Sequence, residues 1–390
     1  MFKKKFALIL SFGLIFVTSF TTISYAKDSK NNYIINNTSN SVLNNSDISQ
    51  IKQNINKILS QKYIVAETYS KPDFNDIVNN NKLLELLNKT IDFEVRWYQI
   101  VDLKISNYTS TLTINNIKSL KNDDYLINIT YDVNATLLPN NIQSSSSGEK
   151  YEFEVQKVNG KWCINKMVDL VNDLNDTSTE QKVKNTKISS NNIIQSSDYN
   201  NLIESKIDSI NSVSANINKY IEEYNDNIKA SKDLSSNYVS LASYSGYNAS
   251  SAVSYALKWA LSRNPNYKNY DPNDCTNFVS QCVYAGGIPG SSTWYSRSTA
   301  WINVINFYNY MRKTGYTFGG DYSSGSRLGD VIQFYNSSKN TWSHAGIITG
   351  TTHGHGWAYS AHSINRKNHA IYFEYPSATY TKLRYIKYWH

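Results

Sequence analysis

The sequence predicts an α+β protein, because helical and strand patterns follow each other in separate blocks. Apolar residues recur at helical spacing over 51–59 and 83–95. Polar and apolar residues then alternate in segments between 99 and 169. After residue 247 the order repeats, with short helices first and strands after them. Helices followed by antiparallel strands are typical of the α+β class.

The N-terminus predicts an exported protein. Lys3, Lys4 and Lys5 precede an apolar run from Phe6 to Val17, and small residues end at Ala26. This order is that of a secretory signal peptide over residues 1–26, so a secreted or cell-wall location is expected. The alternative is an uncleaved anchor, which the run is too short to favour, since a span needs roughly 20 apolar residues.

The net charge limits the classes of binding partner that the sequence predicts. Removing residues 1–26 takes away three lysines and no acid, so the net charge falls from +8 to +5. A mildly basic exported chain is attracted to anionic wall polymers. Its lysines form no basic stripe interleaved with aromatics, so nucleic acid is not predicted as a partner.

The chain has three cysteines, so at least one has no partner for a disulfide bond within the chain. The sequence favours free cysteines, and a disulfide bond from Cys163 to Cys275 or to Cys282 is the alternative.

The first part of the mature chain predicts a small α+β domain. Residues 27–47 are rich in Asn and Ser and predict a disordered lead-in. Residues 48–174 carry two helices and a sheet, a layout similar to cone-shaped folds of the nuclear-transport-factor type. No set of acid, base or metal ligands converges there, so a spacer or binding module is expected. The predicted strands are 99–107, 109–118, 125–138, 150–158 and 161–169, with a hairpin turn at Asn159-Gly160.

A long amphipathic helix is predicted after a polar linker at 175–199. Residues 200–231 contain apolar residues at alternating spacings of four and three, from Ile203 to Ile228. This face can pack on the helix's own domain, or it can pair with a second copy of the chain through 203–228. Packing on the helix's own domain and pairing with a second copy both fit this pattern.

Residues 247–390 form the last predicted domain, and a cysteine helix is its main feature. The run from Asp274 to Cys282, followed by Gly286-Gly287, has an N-cap residue, an apolar face and a helix stop. A thiol at a helix N-terminus feels the positive end of the dipole, which favours the thiolate. Cys275 is therefore a candidate nucleophile, with a buried packing residue as the alternative. Cys282 falls on the apolar face and is expected in the core.

The histidines supply the candidate base. All six lie between His344 and His390, and His344 opens a predicted strand at 344–350. If 357–363 is its antiparallel neighbour, His362 lies near His344. A Cys–His pair works best when a third polar group orients the imidazole. His344 is thus expected as the base and His362 as the orienting group, with Asn365 or Ser360 as replacements. The backbone N–H of Cys275 is the expected oxyanion donor.

Residues from about 247 to 388 resemble the bacterial putative amidase domain, a relative of CHAP and NlpC-like papain-type cysteine peptidases. The pieces that match are Tyr255-Ala256, Asn264-Pro265, the run Asp274 to Gln281 with Gly286-Gly287, Trp294, Trp301, Gly329-Asp330, His344 and His362-Ser363. The resemblance implies a papain-like fold of a helix plus an antiparallel sheet, with Cys275 as nucleophile and His344 as base. It also implies cleavage of amide bonds in cell-wall peptidoglycan.

The function predicted from the sequence is an exported cysteine amidohydrolase that acts on peptidoglycan or wall peptides. No cofactor or metal is expected; His353 and His355 flank Gly354 in a loop without further ligands. Two alternatives stay open. One is a non-catalytic cell-wall binding or assembly protein, and the other is a protease or transferase that acts on protein substrates.

Overall fold

The computed structural model describes residues 34–35, 43–174, 198–236, 246–322, 325–352 and 356–389. The predicted signal peptide, most of the lead-in and linker, and His353, His355 and His390 lie outside these residues. The elements are β1 (Ile34–Ile35), α1 (Asn45–Leu59), α2 (Gln61–Thr68), α3 (Asn81–Ile100), β2 (Ile105–Ser119), β3 (Tyr125–Leu137), β4 (Ile142–Val158), β5 (Lys161–Asp169), α4 (Asp198–Ala215), α5 (Ile217–Ser236), α6 (Ala249–Trp259), α7 (Cys275–Ala285), α8 (Thr299–Ile302), α9 (Val304–Lys313), β6 (Thr317–Phe318), β7 (Val331–Asn336), β8 (Thr341–Thr351), β9 (Trp357–Ala361), β10 (Asn365–Ala370) and β11 (Tyr380–Tyr388).

In the N-terminal part, α1, α2 and α3 pack on the sheet formed by β2 to β5. The Asn80 side chain caps α3 by accepting the backbone N–H groups of Lys82 and Leu83. Two details differ from the sequence prediction. The strand expected at 99–107 is the end of α3 and the start of β2, because apolar residues of that helix continue to Ile100. The short α2 was not predicted, since eight residues carry little periodicity.

The turn at Asn159-Gly160 agrees with its prediction. Both residues have positive φ, 50° and 80°, as a type I′ turn requires. Val158 is paired with Lys161 across it.

A single large sheet joins the two parts of the chain. Its order is β1-β2-β3-β4-β10-β9-β8-β7-β11-β6, and β5 pairs with the later part of β4, beyond the residues that pair with β10. Among the pairings of these described strands, only β1–β2 is parallel. The link is the antiparallel pairing of β4 with β10, in which Arg366 lies opposite Ser146. One apolar core runs along the face of this sheet covered by α1–α5, and a second lies between β7–β8 and α6, α7 and α9. The protein is thus α+β, with a large antiparallel sheet.

The predicted amphipathic helix is two helices, α4 and α5, separated at Asn216. Its apolar face is buried within the chain. Two polar contacts also join α3 to α4, from Lys82 to Glu204 and from Lys89 to Asn211. The buried residues of this face are Ile203, Ile207, Ile210, Val213, Ile217 and Tyr224. Packing within the chain accounts for the periodicity, and self-association stays a prediction.

A buried charge cluster ties α2 to β10 and the following turn. Oε1 of Glu374 lies 3.1 Å from Lys62 Nζ, 3.0 Å from Arg366 Nη2 and 3.0 Å from His369 Nε2. Residues 370–375 are predicted from their sequence to form a short strand. In the structure they are the end of β10 followed by a 3-10 turn at Ile371–Phe373. That turn brings Glu374 back to Arg366.

Among the helices whose residues are described, none is long and apolar enough to cross a bilayer. The same part of the chain holds no group of three or more His, Cys, Asp or Glu side chains arranged for a metal ion.

Candidate active site

Cys275 is the first residue of α7 and is 6% exposed. Its Sγ lies 3.8 Å from Thr276 Oγ1 and 4.0 Å from the carbonyl oxygen of Ser343, at the start of β8. Asp274 stands at the N-cap position as expected, but its side chain makes no capping hydrogen bond. The carboxylate is therefore available for another partner.

That partner is His362, which follows the end of β9. Its Nδ1 lies 2.6 Å from Asp274 Oδ2, and its Nε2 lies 2.9 Å from the carbonyl oxygen of Trp259. The ring stacks on Phe278, one turn after Cys275, with centroids 4.0 Å apart. A carboxylate and a carbonyl only accept hydrogen bonds. A neutral imidazole has one N–H, so it donates to one of these two oxygens at a time.

Further contacts fix Asp274. Its Oδ1 accepts the Tyr270 N–H and the Asn277 side-chain amide at 3.0 and 2.8 Å. Arg263 Nε lies 3.4 Å from Oδ2, and the same guanidinium donates to Asn365 Oδ1 at 2.7 Å. The carboxylate is thus held between a guanidinium and an imidazole, in a fully buried position.

Neither replacement for the orienting group contacts His344. Asn365 accepts from Arg263, and the Ser360 hydroxyl pairs with Thr349 Oγ1 at 3.0 Å.

Ser363 covers the start of α7. Its Oγ accepts the backbone N–H groups of Asp274 and Cys275 at 3.1 and 3.2 Å. The N–H that was expected to bind an oxyanion is therefore bonded to a serine in this arrangement. Ser363 has a φ of 78°, which is unusual for a residue other than glycine.

The structure brings Cys275 and His362 to the same side of the sheet, but not His344. The His344 ring packs among Phe334, Tyr359 and Tyr380 on the opposite face. No hydrogen bond joins it to Cys275, and its Nε2 is buried without a partner. Register is the cause: Ile347 lies opposite Ser360. Continuing that ladder puts Ala345, one residue from His344, opposite His362, and neighbouring residues of a strand point to opposite faces.

Burial governs both key pKa values. It raises the pKa of the Cys275 thiol, against hydrogen bonds from the Thr276 hydroxyl, the Ala345 N–H and the Ser363 hydroxyl. The sequence predicted the reverse direction from the helix terminus. Burial, helped by the positive charge of Arg366, also lowers the pKa of His344 to about 3. His344 is therefore neutral near pH 7.

His344 should make the fold sensitive to acid. A histidine whose pKa falls from 6.5 to about 3 on folding binds its proton more readily in the unfolded chain. The free energy of unfolding should then fall as pH drops below 6.5, by about 1.4 kcal/mol per pH unit for this one group. His344→Phe removes the titration without breaking a bond to Nε2. Urea unfolding at pH 6, 5 and 4 should show the wild type losing stability faster than the variant. Parallel curves for the two proteins would contradict this.

The other cysteines have no role at this site. All three cysteines are free, so neither possible bridge forms. Cys282 lies fully buried on the core side of α7, as expected from its place on the apolar face. Cys163 lies on β5, far along the sheet order from β8.

Sequence reasoning missed the roles of Arg263 and Ser363, and for Asp274 it favoured capping over an influence on the thiol. The position of Asp274 directly before the candidate nucleophile could have indicated a role in the site, because its carboxylate can contact the groups around the thiol. Nothing in the sequence marked Arg263, because its contacts to Asp271, Asp274 and Asn365 depend on how the loop before α7 folds.

Comparison with known proteins agrees with this location. Residues 246–385 match the family described as "Putative amidase domain". The chain is similar to the uncharacterized protein YjcM of Bacillus subtilis, with 35% identity over 158 residues, which cover 39% of this chain and 36% of YjcM. It is also similar to the uncharacterized protein YhbB of the same organism, with 44% identity over 61 residues, 14% of this chain and 19% of YhbB. The matches thus span about a third or less of these relatives.

A solved structure of the intermembrane space region of the chloroplast protein ARC6 aligns with 31% of this chain and 95% of its own. The identity is 14% and the TM-score is 0.24, so this likeness supports no conclusion. Cys275 and His362 both lie within residues 246–385, the part of the chain that matches the amidase family.

Proposed function

We propose that the C-terminal domain is a cysteine-dependent amidohydrolase with Cys275 as its nucleophile. The amidase match covers the whole candidate site. The observation that carries the proposal is the hydrogen bond of His362 to Asp274, the residue before Cys275, at the start of α7. A thiol at a helix terminus, an imidazole bonded to the residue before it and a carboxylate that holds this imidazole are the parts of a nucleophilic triad. The ring nitrogens of His362 contact Asp274 and the Trp259 carbonyl rather than the thiol.

The reaction has two steps. The Cys275 thiolate attacks the amide carbonyl carbon, the C–N bond breaks, and the leaving amine takes a proton from the imidazolium. Water then adds to the thioester, the C–S bond breaks, and the thiol and the carboxylic acid are released. His362 accepts the thiol proton at Nε2 in this scheme, as a neutral ring that donates Nδ1–H to Asp274, and the carboxylate stabilises the imidazolium that forms. Its Nε2 must exchange the Trp259 carbonyl for the reacting atoms.

His344, which the sequence analysis predicted as the base, is the second candidate for that role. Its free Nε2 is suited to accept a proton. However, the ring would have to pass around the start of β8 to reach Cys275. With His362 as base, Asp274 takes the orienting role that the sequence analysis gave to His362. A papain-like arrangement, related to CHAP and NlpC-type peptidases, is part of this proposal.

We further propose peptidoglycan or wall peptides as the substrate of an exported, wall-associated enzyme. The support is the signal-peptide pattern at 1–26 and the basic charge, which suits anionic wall polymers. The same acyl chemistry would serve a protease or transferase that acts on protein.

A non-catalytic wall-binding or assembly protein is the second candidate function. The nearly closed thiol, with a pKa raised by burial, favours it.

The two histidines can be separated by activity. Purified peptidoglycan and defined muropeptides are incubated with wild type, His362→Gln and His344→Gln, with amine release and product masses as readouts. Loss of a general acid–base group lowers kcat/KM by about 100- to 10,000-fold. We expect that loss for His362→Gln and less than about tenfold for His344→Gln.

The opposite ranking would move the base to His344. No amine release by the wild type, together with wall binding that survives Cys275→Ser, would replace the enzyme by the binding protein.

A further inference from the structure

Ser363 links the turn after β9 to the start of α7. It follows His362 at the turn between β9 and β10 and adopts a φ of 78°, a region that serine enters at a conformational cost. In return, its oxygen receives the N–H groups of Asp274 and Cys275, 88 or more residues away in the chain. It therefore caps α7 from outside the helix, where Asp274 does not.

The hydrogen-bond inventory of a hydroxyl limits what else Ser363 can do. A serine oxygen has two lone pairs and one hydrogen. Both lone pairs are used by the two backbone N–H groups, so only the hydrogen remains to be donated. Two donors into one oxygen also polarise its O–H bond and strengthen it as a donor.

We propose that Ser363 is a positioning residue of Cys275: its oxygen fixes the first amide groups of α7, and its hydroxyl hydrogen turns to the sulfur and stabilises the thiolate. This role rests on Cys275 being the nucleophile proposed above. The direction agrees with the effect of this hydroxyl on the thiol, whose pKa it lowers against burial.

The other groups around the thiol stay constant in the test. The charged or titratable neighbours are Asp274 at the N-cap of α7, Arg263 before it and His362 after β9. On the β8 side the Ser343 carbonyl and the Ala345 N–H face the sulfur. Thr276 supplies the second hydroxyl near the sulfur.

The test is the rate of Cys275 alkylation by iodoacetamide against pH, in the full chain with Cys163→Ala and the buried Cys282 unchanged, and with the modified site mapped by peptide mass spectrometry. Ser363→Ala removes the hydroxyl, and Ser363→Gly removes it while relieving the positive φ. Ser326→Ala is the control, because it deletes a buried hydroxyl without a partner elsewhere in the domain. Thermal unfolding checks that each variant is folded.

We expect both Ser363 variants to react about tenfold more slowly at pH 7, with an apparent pKa of the thiol raised by about 1, as for loss of a hydrogen bond to a charged group. The control should match the wild type. Titration of both Ser363 variants like the wild type would overturn the proposal, and so would an effect of Ser363→Ala that Ser363→Gly does not share. Alkylation needs no amide substrate, so the two proposals can fail separately. A protein that hydrolyses no amide but whose Ser363 variants show the raised thiol pKa would refute the amidohydrolase and support the role of Ser363.

Discussion

Replacing Cys275 with alanine should lower kcat for amide hydrolysis by at least about 1,000-fold, because the substitution removes the thiol that forms the acyl intermediate. The fold should survive, since the contacts of the sulfur to Thr276 and Ser343 are long, 3.8 and 4.0 Å, and alanine fits the same space. The measurement is steady-state amine release from a defined muropeptide, with circular dichroism to confirm folding.

The matched control is Cys163→Ala. Cys163 is also a buried free thiol, 8% exposed, with weak contacts at 3.9 Å to the carbonyls of Asp76 and Lys161. Its substitution should leave kcat unchanged. Wild-type turnover by Cys275→Ala would remove the cysteine mechanism, whatever bond is cleaved.

Replacing Glu374 with alanine should produce the largest loss of stability, about 3–5 kcal/mol in the free energy of unfolding. Burial alone would raise the pKa of this carboxyl, but Arg366 and Lys62 hold it well below its usual range. It is therefore ionised, and its removal leaves the buried Arg366 and Lys62 without their shared partner. Urea unfolding at pH 7 measures the loss.

Glu85→Ala is the comparison for this variant. Glu85 pairs with Lys89 on the surface of α3 at 3.7 Å, with half of its side chain exposed. Such pairs contribute about 0.3–0.5 kcal/mol, so the variant should unfold almost like the wild type. Equal effects of the two substitutions would mean that the buried cluster does not stabilise the fold. Because Glu374 connects α2 to β10, we also expect one cooperative transition in the wild type rather than two.

Local patterns carried most of the elements that could be predicted. The helix of Cys275 follows from its apolar spacing, and the hairpin at Asn159-Gly160 from its turn residues. β4 was predicted only from residue 150, because its first part is the polar run Gln143 to Gly148. That run forms a strand because β3 and β10 pair with it on both sides. Such long-range pairing leaves no trace in the spacing of apolar residues.

The sequence predicted which strands carry the site residues, but not which face of the sheet each side chain takes. The strand order put His344 and His362 at adjacent strand ends, which the pairing of β8 with β9 bears out. Which face each ring takes depends on a register offset of one residue, and a sequence without its partner strand does not specify this. The Glu374 cluster was invisible for a related reason, since Lys62 and Glu374 are 312 residues apart.

The most direct test of Cys275 as nucleophile is capture of the acyl-enzyme. Wild-type protein mixed with a slowly hydrolysed ester or amide of a wall peptide is quenched in acid and measured by intact-mass spectrometry, then by peptide mapping. We predict an added acyl mass on the peptide that begins α7, attached to Cys275 as a thioester, and absent from Cys275→Ala. Turnover without any such adduct, in a protein whose Cys275→Ala variant is equally active, would contradict the mechanism.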